Sequence, residues 1–312
     1  MRIRFWGVRG SVPAPILKSQ IKNKIAIILE NVTPDDIKNK ESREQFLESL
    51  PLWLYGTVGG NTSCVSVEAS DPLEYLIFDA GSGIREMGLE LSTLSCKLQE
   101  YHLFLSHFHW DHLQGLPFFH PAYDPGVTIN FYSPEADPQP ALQGQMQPPY
   151  FPVRIDSMGS KKNFFFITED VTIGGLKVSF KKLQHPNNSF SYQVREGNRR
   201  FIYATDTELT EDFINNKENR SFFNNADLIV IDTQYTLGEA IEKYNWGHSS
   251  FSLAVEFASN CNIKHMVFFH HDPNYDDRKL FNNLHSAKWY REKLDNRSIK
   301  LSLAVEGEEI IL

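Results

Sequence analysis

Apolar residues along the chain gather into short runs, and each run closes on a polar or glycine-bearing turn. Residues 2–6 open as a strand ending at Gly7-Val8-Arg9-Gly10-Ser11. Residues 63–68 and 75–79 alternate or run apolar and predict two paired strands. The second ends at Asp79-Ala80-Gly81-Ser82-Gly83, a strand-to-helix turn whose glycines let backbone approach a ligand closely. Next come a helix over 84–91, a strand over 102–105, a short helix over 112–116 diverted by Pro117, and a strand over 127–131. The stretch 133–163 is rich in Pro, Gln and Gly and predicts an irregular cap with a short helix near 138–146.

The second half repeats the pattern. Strands are predicted at 176–183, 190–195, 200–204, 227–231 and 265–269, with a final strand pair near 300–311. Helices are predicted at 249–259, capped by Ser249 or Ser250, and near 276–294. Mixed strands and helices in two similar halves predict two packed sheets flanked by helices, within one domain spanning 1–312.

Residues 17–50 break this pattern. Lys, Asn and Glu are frequent, and Ile21, Ile25, Ile28 and Leu29 recur at helical spacing. A second helical piece is expected after Thr33-Pro34-Asp35-Asp36, which combines a threonine cap, a proline at the first helical position and acids behind it. We read a helical hairpin inserted between the first two strands. Its apolar stripe needs a cover: the cap, the rim of a site or a second subunit.

Composition narrows the class. Of 312 residues, 41% are hydrophobic and 13% aromatic, enough for a substantial core. A net charge of -8 argues against a general nucleic-acid coat, because phosphate binding needs clustered Lys and Arg. Cys64, Cys96 and Cys261 form no C-x-x-C pair and suggest no disulfide framework. The N-terminus lacks an apolar signal core, and no run of apolar residues is long enough to span a membrane. A cytoplasmic protein without membrane partners is the expectation.

The chemistry is concentrated in Ser106-His107-Phe108-His109-Trp110-Asp111-His112, which reads H-x-H-x-D-H. Imidazole is the commonest zinc donor, and a carboxylate adds charge or accepts a proton. Four such groups can face one site from a loop that leaves a strand, and the apolar run Tyr101–Leu105 supplies that strand. Chemistry at strand C-termini is the rule in α/β folds. Three further candidates, His185, Asp206 and His270, each follow a predicted strand.

In this order the ligand series resembles that of the metallo-β-lactamase fold superfamily of metal-dependent hydrolases. Gly59-Gly60-Asn61-Thr62-Ser63 and Phe78-Asp79-Ala80-Gly81 are similar to its early strand pair and turn. Asp111-His112-Leu113-Gln114-Gly115-Leu116-Pro117 and Gly247-His248-Ser249-Ser250 resemble segments of its phosphodiesterase branch, which includes tRNase Z and the cyclic phosphodiesterase of phosphonate catabolism. The resemblance implies a four-layer αββα sandwich and two divalent ions, zinc first, with manganese or iron as alternatives. It implies that His107, His109 and His185 hold one ion, that Asp111, His112 and His270 hold the other, and that Asp206 bridges them. His271 rivals His270, which is preferred because it directly ends the apolar run. Asp79 is expected to accept a hydrogen bond from a ligand imidazole.

Two such ions would share a hydroxide nucleophile. Asp111 is then expected to orient it, and His248 to protonate the leaving group, with Glu208 as a candidate to orient His248. The departures matter. Asp206 stands where the classical β-lactamase type has cysteine, and His109 where the oxygen-reducing diiron branch has glutamate. Asn187 and Asn188 follow His185-Pro186 where glycines are expected, and no Gly-rich basic arm for tRNA is present. These features favour a dinuclear hydrolase of a small phosphodiester, such as a cyclic nucleotide or cyclic phosphate, with a homodimer allowed. The alternatives are hydrolysis of another ester, thioester or lactam, a tRNA-processing nuclease, or a metal-bound sensor without turnover.

Overall fold

In the computed structural model, which describes residues 1–69, 74–93, 98–294 and 298–312, the strand-forming runs assemble into two seven-stranded sheets. The first contains β1 (Arg2–Gly7), β2 (Cys64–Glu68), β3 (Tyr75–Phe78), β4 (Glu100–Phe104), β5 (Thr128–Ser133), β6 (Lys161–Phe166) and β14 (Glu309–Ile311), in the order β14-β1-β2-β3-β4-β5-β6. The second contains β7 (Val171–Ile173), β8 (Leu176–Lys182), β9 (Phe190–Glu196), β10 (Arg199–Ala204), β11 (Leu228–Asp232), β12 (His265–Phe269) and β13 (Lys300–Leu303), in the order β13-β12-β11-β10-β9-β8-β7. Each sheet has a parallel run, β3 to β6 in one and β10 to β13 in the other, beside antiparallel strands. The C-terminal ends of these parallel strands carry most of the polar residues singled out above.

Period-two alternation assigns the faces. In β3, Leu76 and Phe78 join the core shared by the two sheets, while Tyr75 and Ile77 point to the outer cluster. Aromatic rings fill the space between the sheets: Phe78 lies 5.5 Å from Tyr203 and 5.5 Å from Tyr192, and Phe5 lies 6.5 Å from Phe269. On the outside of the first sheet, α4 (Ile84–Thr93) buries Ile84, Met87 and Leu91. On the outside of the second, α9 (Phe251–Asn260) packs on β11 and β12, and α10 (Asp277–Arg291) on β13. The layers therefore run helix, sheet, sheet, helix, the four-layer αββα sandwich. Among the described residues no helix is long and apolar enough to cross a membrane. Cys64 and Cys261 are buried free thiols, and Cys96 lies outside the described residues.

Several expectations need correction. The final strands do not pair with each other: β13 adds to β12 and β14 to β1, so the chain end crosses between sheets. The 133–163 cap does contain a helix, α5 (Pro138–Gln145), but it ends by entering β6, an edge strand whose Lys161-Lys162-Asn163 start hides its periodicity. The short helix at 112–116 is instead two 3₁₀ turns, Trp110–His112 and Leu116–Phe118. Three short helices between β10 and α9 were not foreseen: α6 (Glu211–Asn215), α7 (Lys217–Phe223) and α8 (Leu237–Glu242). Each is too short for a helical period to emerge, although Thr210, Asn216 and Thr236 cap them.

The segment between β1 and β2 forms α1 (Lys18–Asn31), α2 (Lys40–Ser49) and α3 (Leu52–Tyr55). Thr33 and Asp36 close a local turn, but the second helix starts later, behind the side chain of Asn39. Neither α1 nor α2 contains a buried residue; α1 contacts α3, which contacts α10.

Candidate metal centre

The turn after β3 fixes the loop after β4. Asp79 is fully buried, and its carboxylate accepts hydrogen bonds from Ser106 N (2.7 Å), Ser106 Oγ (2.8 Å), His112 Nδ1 (2.8 Å) and Tyr203 Oη (2.8 Å). The His112 ring is thereby set with Nε2 pointing the other way, toward the cleft. Ala80 N donates to His112 O at 2.7 Å, which ties the two turns together. Asp79, Asp206 and His270 all adopt left-handed backbone, with φ of 60°, 52° and 57°. Each lies one or two residues past a strand end, and there Asp206 and His270 face the cleft while Asp79 faces the back of His112. Such conformations cost free energy in non-glycine residues and concentrate at functional sites.

Seven side chains from these strand ends meet. Ligand-type atoms of His107, His109, His185 and Asp206 lie within 4.8 Å of one another, as do those of Asp111, His112 and His270. Asp206 faces both groups. Its Oδ1 is 3.7 Å from His107 Nε2 and 4.0 Å from His185 Nε2, while its Oδ2 is 3.2 Å from His112 Nε2 and 3.3 Å from His270 Nε2. Asp111 Oδ2 lies 3.3 Å from both His112 Nε2 and His270 Nε2 and accepts a hydrogen bond from Ser11 N at 2.8 Å. Of the adjacent histidines, His270 enters this cluster, whereas His271 bonds the Ala304 carbonyl at 3.0 Å.

Two glycines make this approach possible. A Cβ on Gly10 would lie 2.5 Å from the His270 ring. One on Gly247, whose φ is +85°, would lie 2.0 Å from His185 Nδ1, the atom that pairs with the Gly247 carbonyl at 2.9 Å. Asn187 and Asn188 both have φ of 63°, so they supply the left-handed backbone expected of glycine after His185-Pro186.

Electrostatics fits a cation-binding cluster. Burial drives the His107 imidazole well below its ordinary pKa, with His112 adding to the effect, so it offers a neutral lone pair. Burial would raise Asp206, but His270, His112 and His107 outweigh it and hold the carboxyl well below the usual range. The Nε2 atoms of His107 and His112 are buried without a hydrogen-bond partner. Buried polar atoms without partners are rare and call for an explanation. At His112 and His270 burial opposes protonation, but Asp206 and Asp111 outweigh it and raise both imidazoles. A neutral His107, ionised carboxylates that attract positive charge and orphaned nitrogens aimed at a common space form a donor set suited to divalent metal ions.

His248 stands beside the cluster. Its ring stacks 5.0 Å from His270, and its Nδ1 pairs with Asp232 Oδ2 at 2.7 Å. The expected orienting role of Glu208 is thus corrected: Asp232 holds the ring. Glu208 instead accepts from Asn245 N (3.1 Å) and Gly247 N (3.2 Å), supporting the loop that presents His248. Asp232 was missed because the predicted strand stopped at residue 231. A carboxylate closing an apolar strand, as at Asp79 and Asp206, was the available signal.

Comparison with known proteins places this geometry. The family model described as "Beta-lactamase superfamily domain" matches residues 75–271, well over half of the chain. A ribonuclease Z of Prochlorococcus marinus (strain MIT 9515) is 22% identical over 282 residues, covering 72% of this chain and 86% of that protein. The metallo-β-lactamase fold protein YhfI from Bacillus subtilis superposes with a TM-score of 0.64 at 17% identity, covering 99% of this chain and 98% of that one. A diphosphatase from the PhnP family gives 0.61 at 15% identity, covering 100% and 97%. Zn²⁺-bound PqqB from Methylobacterium extorquens gives 0.66 at 13% identity, covering 100% of both chains. The chain belongs to the β-lactamase superfamily and has the metallo-β-lactamase fold.

Proposed function

We propose that this protein is a dinuclear metal-dependent phosphodiesterase acting on a small molecule. The observation that carries the reading is Asp206, with one oxygen turned toward each histidine group. His107, His109 and His185 would hold one divalent ion, Asp111, His112 and His270 the other, and Asp206 would bridge them; zinc is the first candidate, as the PqqB neighbour was solved with Zn²⁺. Ions bound there supply Lewis-acid polarisation of the phosphoryl oxygen and an acidified water.

The chain's own residues do the rest. Asp111, held by Ser11 N, orients the attacking water and accepts its proton. His248 delivers a proton to the departing alkoxide, and Asp232 fixes the ring through Nδ1, leaving Nε2 as the donor. Asp79 locks His112 in one orientation. The named relatives include a ribonuclease Z and a diphosphatase, which supports phosphoester chemistry, while the net charge of -8 favours a small substrate over RNA.

The test is metal analysis of the purified protein followed by side-by-side assay of bis-p-nitrophenyl phosphate, a thioester and a lactam. About two metal equivalents and preference for the phosphodiester are expected. A better rate on the thioester or lactam would overturn the reading. His248→Ala should slow alkyl phosphodiesters by about 10²–10⁴-fold, while p-nitrophenyl esters, whose leaving group needs no proton, lose far less. Equal losses would assign His248 to positioning.

A further inference from the structure

Strand β11 closes on Asp232, and the chain then turns through Thr233, Gln234 and Tyr235, all of them buried. This turn is pinned on both sides. Thr233 N donates at 3.2 Å to the carbonyl of Phe269, the residue before His270. Tyr235 N donates at 3.1 Å to the carbonyl of Ser249, the residue after His248. Between these anchors, Gln234 N donates to Asp232 Oδ1 at 3.0 Å, while Asp232 Oδ2 holds His248. The Gln234 side chain meets the other ring of the stacked pair: its Oε1 lies 3.3 Å from His270 Nδ1.

An imidazole that gives Nε2 to a metal ion carries its proton on Nδ1, and that N–H needs an acceptor. Around the cluster, His112 Nδ1 faces Asp79 at 2.8 Å, His185 Nδ1 faces the Gly247 carbonyl at 2.9 Å, and His107 Nδ1 faces Ser106 Oγ at 3.0 Å. His270 Nε2 points into the cluster, 3.3 Å from both Asp111 Oδ2 and Asp206 Oδ2, so Nδ1 is its outward nitrogen. We infer that Gln234 is the positioning residue of His270: its amide oxygen accepts the Nδ1 proton and fixes the ring with Nε2 toward the second ion, given the two-ion reading above, on which this assignment rests. The amide serves in one sense only, because turned over it would set its NH₂ against an N–H, donor against donor. Through its own backbone N–H the same residue steadies Asp232. One buried turn therefore sets both the ligand ring of His270 and the proton-donating ring of His248.

The experiment uses the full-length, Zn²⁺-loaded protein and two variants. Gln234→Met keeps the length of the side chain and removes the acceptor; Gln234→Glu keeps an acceptor. Competition with a chromophoric chelator reads the two Zn²⁺ affinities separately. Gln234→Met should weaken one of them by about 10–100-fold, and Gln234→Glu should bind both ions at least as tightly as the wild type. A Gln234→Met protein with both affinities intact, or an equal loss in the two variants, overturns the assignment; the second result would mean that Gln234 only packs. A measurement on the wild type needs no variant to fold. In ¹⁵N-histidine-labelled, Zn²⁺-loaded protein, long-range ¹H–¹⁵N correlation should place the His270 proton on Nδ1, in slow exchange with solvent. Metallation through Nδ1, or rapid exchange of that proton, overturns the assignment. A wild type that binds one Zn²⁺ or none would instead sink the two-ion reading itself.

Discussion

At the strand-end cleft, His107, His112, Asp206 and His270 are 0%, 0%, 2% and 1% exposed. Along α1, Ile21, Ile25 and Leu29 are 44%, 52% and 66% exposed. The two regions thus reverse the ordinary placement of polar and apolar groups. Burying polar groups costs free energy unless they are paired, so the cleft depends on β3, β4, β10 and β12 holding these side chains against partners, such as Asp79 for His112 and Ser106 for His107, with the free Nε2 atoms of those two histidines left for a ligand. The stripe on α1 gains little from burial in this chain, with Ile28 alone of its four residues half-buried; α1 is tied down by contacts such as Lys24 to the Gly56 carbonyl and to Asp277. In the cleft, fold stability and chemistry depend on the same atoms. In the insertion they come apart.

The sharpest way to break that comparison is to change chemistry in the cleft without changing packing. Asp111→Asn keeps the size of the side chain, and its amide oxygen can still accept from Ser11 N, but it no longer takes up a proton. Turnover should fall by about 10²–10⁴-fold while metal content stays near wild type. Near-normal turnover at full metal loading would remove Asp111 from proton transfer.

A smaller effect is expected one layer back. Asp79→Ala strands four donors, from Ser106, His112 and Tyr203, in a fully buried site. Metal affinity, measured by chelator competition, should drop by about 10–100-fold. Unfolding in urea should show a loss of about 3–5 kcal/mol. A loss below about 1 kcal/mol would mean that the cleft relaxes around the gap and that its polar groups are less interdependent than their geometry implies.

The cleft was also the more legible region. The H-x-H-x-D-H run, His185, Asp206 and His270 could be singled out because each follows an apolar strand, and strand ends are visible as the break from Val, Ile and Phe to a titratable residue. Reading along the chain could not show contacts across it. Asp232 reaches His248 from sixteen positions away, and Tyr203 reaches Asp79 from 124 away; nothing local marks either pair. Ser11 contributes through its backbone N–H, which carries no side-chain signature. Short helices α6 to α8 and edge strand β6 were missed for a different reason. Their length or edge position weakens the periodicity on which such a reading depends.

The smallest effect belongs to the insertion. Its helices contribute none of the converging His and Asp groups, and α1 turns Ile25 and Leu29 outward. Ile25→Ser/Leu29→Ser should therefore change unfolding free energy by no more than about 0.5 kcal/mol per site, with metal content and turnover of bis-p-nitrophenyl phosphate unchanged. Unfolding measured at two protein concentrations adds the decisive control. If the stripe is open in solution, stability of the wild type is independent of concentration and the double variant matches it. If a second copy covers the stripe, wild-type stability rises with concentration and the variant loses that dependence. A loss of more than about 2 kcal/mol in the variant would show that this face is buried in the working protein. The contrast between a closed cleft and an open arm would then hold for the isolated chain alone.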